Sequence, residues 1–73
     1  MRTDYKVGDT VQSAPTSSDV LVMGWVWRAE IVKVIGENDH GGCYETLGFW
    51  DNEPYTTPTL RQLWGDHFIR WEV

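Results

Sequence analysis

One short stretch of the sequence carries the side chains of a cysteine nucleophile and its base. His40 stands three residues before Cys43, and an imidazole close to a thiol is the pairing that activates a cysteine. Asp39 and Glu45 flank this pair, and their negative charges disfavour the thiolate, which needs cationic neighbours or a helix N-terminus. We therefore predict that Cys43 is a small residue at the head of a strand and that the chain has no catalytic residues and is not an enzyme.

The same residues are a poor metal site. His40, Cys43 and His67 are the only histidines and cysteine in the chain, and their spacing contains no paired ligand motif. A single cysteine also excludes an intrachain disulfide. Gly41-Gly42 is followed by neither a helix nor a lysine, so it is interpreted as a turn and not as a phosphate loop. We expect no metal and no cofactor.

Aromatic side chains are the other candidates for function. The chain has five Trp, three Tyr and two Phe in 73 residues, which predicts a single domain over 1–73 with a thin core filled by rings. Five Trp exceed what so small a core readily hides, so at least one of Trp50, Trp64 and Trp71 is expected to be exposed or to face a second subunit. The candidate binding residues are Trp27, Tyr44, Phe49, Trp50, Asp51, Asn52, Tyr55, Trp64 and Trp71.

Charge and hydropathy narrow the class of partner. The net charge is −5 and the six basic residues are scattered along the chain, so nucleic acid is an unlikely partner. The first residues lack the apolar segment of a signal peptide, and the longest apolar run, Val20 to Val26, is too short to span a bilayer. We expect a cytoplasmic protein without a membrane partner.

The elements that must position these residues are mostly strands. Polar and apolar residues alternate from Tyr5 to Gln12 around Gly8-Asp9, which predicts a tight turn and a strand at about Thr10–Ser13. They alternate again at Trp25–Ile31, which predicts a second strand, with a bulge or bend after it. The segment 14–19 has the composition of an exposed loop, whereas 20–23 fits either a strand or the floor of a long loop. The glycine-rich segment 36–42 predicts a hairpin loop that leads into a returning strand, Cys43–Trp50.

The last third of the chain predicts a turn, a helical turn and a closing strand. The turn is placed at 51–54, and 55–57 could add a short strand. Thr57 and Pro58 favour a helix start, and Leu60, Leu63 and Trp64 form one helical stripe. The prediction is a short helical turn near Thr57–Trp64, with Gly65 as a left-handed cap and a strand over 67–73.

This order of elements resembles that of SH3-like barrels, and several short motifs resemble the Tudor and related families. The motifs are Gly8-Asp9, Trp27-Arg28-Ala29, Tyr44-Glu45-Thr46-Leu47-Gly48-Phe49 and Asp51-Asn52-Glu53. Leu47-Gly48 and the long segment from Ser13 to Gly24 depart from that pattern. The resemblance implies an all-β fold, a small barrel of about five antiparallel strands.

Three functions follow as hypotheses. The first is a non-enzymatic module that binds a protein or peptide through exposed aromatic residues, with a homodimer possible. The second, implied by the Tudor resemblance, is a reader of methylated Lys or Arg, in which Trp27, Tyr44, Phe49, Trp50 and Tyr55 enclose the cation beside Asp51 and Asn52. The third is a phage-type inhibitor that docks on a larger enzyme, possibly one that processes nucleic acid. Against all three stands the possibility that the rings simply fill the core.

Overall fold

The computed structural model describes residues 2–53 and 57–71, and these form five antiparallel strands and two short helical turns. The strands are β1 (Thr10–Ser13), β2 (Trp27–Gly36), β3 (Cys43–Trp50), β4 (Thr59–Trp64) and β5 (Phe68–Arg70). A π-helical turn, Asp19–Met23, lies between β1 and β2, and a 3-10 turn, Gly65–His67, joins β4 to β5. The predicted bounds of β1 and β3 are confirmed, and the prediction of an all-β fold with about five antiparallel strands is also confirmed.

The strands form one sheet in the order β4-β3-β2-β1-β5, so that consecutive strands β4 and β5 lie at opposite edges. In a flat sheet, four strand spacings of about 4.8 Å would separate these edges by roughly 19 Å. The chain from Trp64 to Phe68 can span at most about 14 Å. The sheet must therefore curl, which brings its two edges towards each other and encloses one face.

The enclosed face holds the core. Side chains that alternate along the strands point inward, and the largest of them, Trp27 and Tyr44, are fully buried. Thr46 is also buried, where its hydroxyl accepts a hydrogen bond from Trp27 Nε1 (3.0 Å) and donates to the carbonyl of Arg61 (2.8 Å). The buried apolar cluster consists of Val11, Trp27, Ala29, Ile31, Tyr44 and Phe68, with Tyr5, Trp50 and Leu63 packed against it.

The bend predicted after the first half of β2 is present. Its register against β3 shifts between Ile31 and Lys33 and again between Val34 and Gly36. Each shift places an extra residue on β2, so the strand twists and bends more strongly there. This is why apolar residues occupy both parities beyond Ile31.

The helical turn predicted near Thr57–Trp64 is wrong, because Thr59–Trp64 is strand β4. This segment pairs with β3 along its whole length, from Thr59 opposite Gly48 to Trp64 opposite Cys43. Six residues are too few for a stable isolated helix, whereas pairing satisfies the backbone groups along the edge of β3. The helical turn instead follows the strand, at Gly65–His67.

Gly65 is not a left-handed cap, contrary to the sequence prediction. Its φ is not positive. Glycine is needed at this position because two chain segments approach closely there. A Cβ at this position would lie 2.4 Å from the carbonyl oxygen of Gly41. The N–H of Gly65 donates to the carbonyl of Gly42 (2.8 Å), which fastens the end of β4 to the hairpin between β2 and β3.

Three further predictions concern segments at the limits of the description. The turn at 51–54 is confirmed for its described part, since Asp51 and Asn52 form a turn. The possible short strand at 55–57 falls mainly on residues outside the described ranges. The closing strand is shorter than predicted, because His67 belongs to the 3-10 turn. Within 2–53 and 57–71, the helical segments are too short to cross a membrane.

Candidate functional site

The predicted binding residues do not converge on one cage. Trp27 and Tyr44 are core residues with no exposed ring face, so the prediction that they belong to a binding surface is wrong. The Tyr44 hydroxyl donates to the carbonyl of Gly41 and accepts a hydrogen bond from the N–H of Tyr5 (3.0 Å). These hydrogen bonds give Tyr44 a structural role. Tyr55 lies outside the described residues.

The remaining predicted residues lie in three separate places. Trp50 and Asp51 are at the end of β3 beside Trp25, and Asn52 follows in the exposed turn. Phe49 and Trp71 line a groove on the outer side of the sheet. Trp64 lies at the far end of β4.

Trp64 is exposed and is covered on one side by the hairpin loop. The imidazole of His40 stacks on its ring at 4.7 Å with an interplanar angle of 7°. His40 Nδ1 also lies 3.6 Å from a carboxylate oxygen of Asp66. The partners of His40 are thus a ring and a carboxylate, and the arrangement is not that of a Cys–His pair. No group of three or more potential metal ligands occurs among the residues described.

The most exposed apolar segment is the π-helical turn before β2. Leu21 is 70% exposed and Val22 is 81% exposed, and Met23 and Trp25 beside them are also exposed. Trp25 contacts Trp50 edge to face, with ring centroids 5.8 Å apart. We call Leu21, Val22, Met23, Trp25 and Trp50 the loop patch. Full burial of a Val or Leu side chain stabilises a protein by about 1.5–3 kcal/mol. Leu21 and Val22 stay exposed on folding, so most of this stabilisation is still available when a partner covers them.

The loop patch is held in place by backbone hydrogen bonds. The N–H of Leu21 donates to the carbonyl of Ser17 (2.9 Å), and the N–H of Trp25 donates to the carbonyl of Asp19 (3.0 Å). Gly24, between them, has a left-handed backbone with φ 74°, a conformation that favours glycine. The turn therefore closes on itself and presents its apolar side chains outward.

Beneath the loop patch, a buried carboxylate ties the turn to the sheet. Asp19 accepts two hydrogen bonds from the guanidinium of Arg61, at 2.8 and 2.9 Å, and a third from Ser13 Oγ at 3.2 Å. Ser13 Oγ in turn accepts the N–H of Trp27 (2.8 Å). The Arg61 guanidinium holds the pKa of Asp19 below its usual value, against the opposing effect of burial. This network connects the turn to β1, β2 and β4.

Arg61 also occupies the aromatic surface that a guest cation would need. Its guanidinium carbon lies 4.5 Å from the ring centroid of Trp50 and 5.5 Å from that of Trp27. These distances are those of a cation–π contact. Two of the rings expected of a cage thus lie at the chain's own Arg61, and the carboxylate paired with that cation is Asp19 and not the predicted Asp51.

The sequence does not predict the residues of this site that come from the loop. The segment 14–19 was expected to be exposed, yet Ala14, Ser17 and Asp19 are buried. An aspartate directly before four apolar residues, inside a polar loop, was the available signal: it marks the point at which the loop turns back onto the sheet. The sequence does not reveal the partner of Asp19, because Arg61 lies 42 residues later, within the segment for which a helical turn is predicted.

Comparison of the chain with protein-family models, with curated protein sequences and with solved structures finds no match.

Proposed function

We propose that this chain is a non-enzymatic protein-binding module that engages a peptide or protein segment through the loop patch. The observation that carries the proposal is the exposure of Leu21 and Val22 on a turn whose backbone is fixed from below by Asp19 and Arg61. A fixed apolar surface loses little conformational entropy when a partner covers it. The aromatic pair of the loop patch, Trp25 and Trp50, supplies a residue type that is enriched at interface hot spots.

Charge at the edge of the loop patch favours a basic partner. Asp51 follows Trp50 directly, and its carboxylate accepts the N–H of Val26 (3.0 Å), which holds the acidic group next to Trp25. The whole chain carries a net charge of −5. We therefore expect a partner segment that combines aliphatic or aromatic residues with Lys or Arg.

The SH3-like resemblance remains part of this proposal. The strand order β4-β3-β2-β1-β5 and the 3-10 turn before β5 support it, as does the curl that the short connection requires. The hypothesis of a methyl-lysine or methyl-arginine reader is less favoured at Trp27 and Trp50, because Arg61 already lies over both rings.

A selection from a displayed library of random peptides tests the proposal. Peptides that bind the wild-type chain are expected to be rich in apolar and basic residues. Leu21→Ser and Val22→Ser should each weaken their binding about tenfold, since roughly 1.4 kcal/mol of apolar burial is lost at each position. Both side chains are exposed, so the free energy of unfolding should change by less than about 0.5 kcal/mol.

Val7 provides the matched control. It is 61% exposed and lies in the tight turn before β1, far along the chain from the loop patch. Val7→Ser removes a comparable apolar group and should leave peptide affinity unchanged. Equal losses for Val7→Ser and Val22→Ser, or no loss for either loop variant, would refute the proposal.

A further inference from the structure

The outer side of the sheet, away from the core, carries an exposed apolar surface that the loop patch does not use. Leu60 on β4 is 61% exposed and lies opposite the exposed Leu47 on β3. Ile69, on β5 at the other edge, is also exposed. Between them, a groove of about 270 Å³ is lined in part by Phe49 and Trp71. We call this surface, with the outward side chains of β2, the outer face.

Two opposite charges stand at the centre of the outer face. β2 is the middle strand of the five, and Arg28 and Glu30 are two residues apart on it, so both side chains point outward. Arg28 lies opposite Phe49, and Glu30 lies opposite Leu47. Each charge is therefore bordered by an apolar side chain.

These charges are weakly paired within the chain. Arg28 Nε donates to Gln12 Oε1 at 3.4 Å, a long hydrogen bond, and its guanidinium carbon lies 5.8 Å from the ring centroid of Trp71. Glu30 is exposed and makes no ion pair with any residue in 2–53 or 57–71. A cation from outside the chain could therefore pair with Glu30, and an anion could pair with Arg28.

We propose that the outer face binds a second copy of this chain in a symmetric dimer. A twofold axis that passes between Arg28 and Glu30 would place Arg28 of each copy against Glu30 of the other. Such an interface requires one surface to complement itself, and one positive and one negative charge on either side of the axis meet that requirement. The same axis would place Leu47 of each copy against Phe49 of the other, because these residues stand opposite Glu30 and Arg28.

The size of the outer face predicts a weak dimer. Because the sheet curls, its outer side is convex, and even a flat sheet of five strands about 4.8 Å apart, over about six residues of strand length, would present no more than roughly 400 Å². A standard stable interface buries about 800 Å² on each partner. We therefore expect weak self-association, a monomer–dimer equilibrium that depends on concentration.

Charge exchange gives a sharp test by sedimentation equilibrium. Arg28→Glu alone and Glu30→Arg alone each bring like charges together twice, so each should weaken self-association at least tenfold. An equimolar mixture of the two variants restores both opposite-charge contacts and should form a heterodimer with near wild-type affinity. Glu37→Arg makes the same charge change as Glu30→Arg but in the exposed hairpin loop, and it should leave the dimer intact.

Leu60→Lys keeps the test informative if either charge variant fails to fold. Its side chain is exposed on an edge strand, so the fold should persist and the dimer should be lost. A wild-type chain that stays monomeric at about millimolar concentration would overturn the proposal. So would single charge variants that dimerise as well as wild type, a mixture that does not associate, or a dimer that Val22→Ser removes and Leu60→Lys does not.

Discussion

Replacing Arg61 with alanine removes the guanidinium that pairs with the Asp19 carboxylate beneath the loop patch. The Asp19 side chain is 6% exposed and that of Arg61 is 28% exposed. Removing one partner of a buried ion pair costs about 3–5 kcal/mol, because the other charge is left buried and unpaired. Arg61 keeps part of its hydration, so we expect the lower end, a loss of about 3 kcal/mol. A chain of this length has about 4–11 kcal/mol in total, so the variant should still fold.

The loss should depend on pH, and its direction follows from Asp19. The lowered pKa of Asp19 in the folded wild type means that the pair contributes fully above the unfolded pKa of about 3.9. This contribution disappears as the pH falls through the lower, folded pKa. Without Arg61, burial raises the pKa of Asp19. Protonation of Asp19 at low pH then removes the unpaired buried charge, so the variant loses less stability there. The difference between wild type and variant should therefore shrink from about pH 7 to about pH 3.

Urea unfolding at both pH values measures this difference. Arg2→Ala serves as the control, because both side chains of its 2.7 Å pair with Asp4 are exposed, at 52% and 37%, and an exposed pair contributes little to the free energy of unfolding. A loss for Arg61→Ala below about 1 kcal/mol at pH 7, or a loss that is equal at both pH values, would refute the reasoning. Exchange of the Trp25 amide should also accelerate, because its acceptor is the carbonyl of Asp19.

Three other substitutions test the packing of the sheet. Tyr44→Phe leaves the N–H of Tyr5 without its acceptor, so chemical denaturation should show a loss of about 1–3 kcal/mol. Gly65→Ala places a Cβ against the backbone of Gly41, and thermal denaturation should show a loss of about 1–3 kcal/mol or more in the free energy of unfolding. Unchanged stability would show that the two segments can separate freely. Trp64→Ala removes a ring that is 46% exposed, and urea unfolding should detect a loss of less than about 1.5 kcal/mol.

The strands that the sequence predicts well are those with turn signals at both ends. Thr10–Ser13 lies between Gly8-Asp9 and a polar segment with a proline, Cys43–Trp50 lies between Gly41-Gly42 and Asp51-Asn52, and the structure has strands with those bounds. The segment before Gly65 is wrongly predicted as a helical turn because Leu60, Leu63 and Trp64 also fit a helical stripe. Only the pairing of this segment with β3 decides between the two, and a partner strand is not visible in local periodicity.

The candidate site was predictable in composition but not in position. An excess of tryptophan correctly indicated exposed rings, and Trp64 is one of them. Which rings are buried depends on which parity of each strand faces the side that the curled sheet encloses. Trp27 has the parity that faces this side, so it is buried. The buried pair of Asp19 and Arg61 joins residues far apart in sequence, so no local pattern could show that it fixes the loop patch.

The most direct test of the loop patch as a binding surface is a methyl NMR titration of the wild-type chain with a selected peptide. The account predicts that the methyl signals of Leu21, Val22 and Met23 shift on binding, while those of the buried Val11 and Ile31 keep their positions. Shifts confined to other surface residues, with those three methyl-bearing side chains unchanged in a saturated complex, would contradict it.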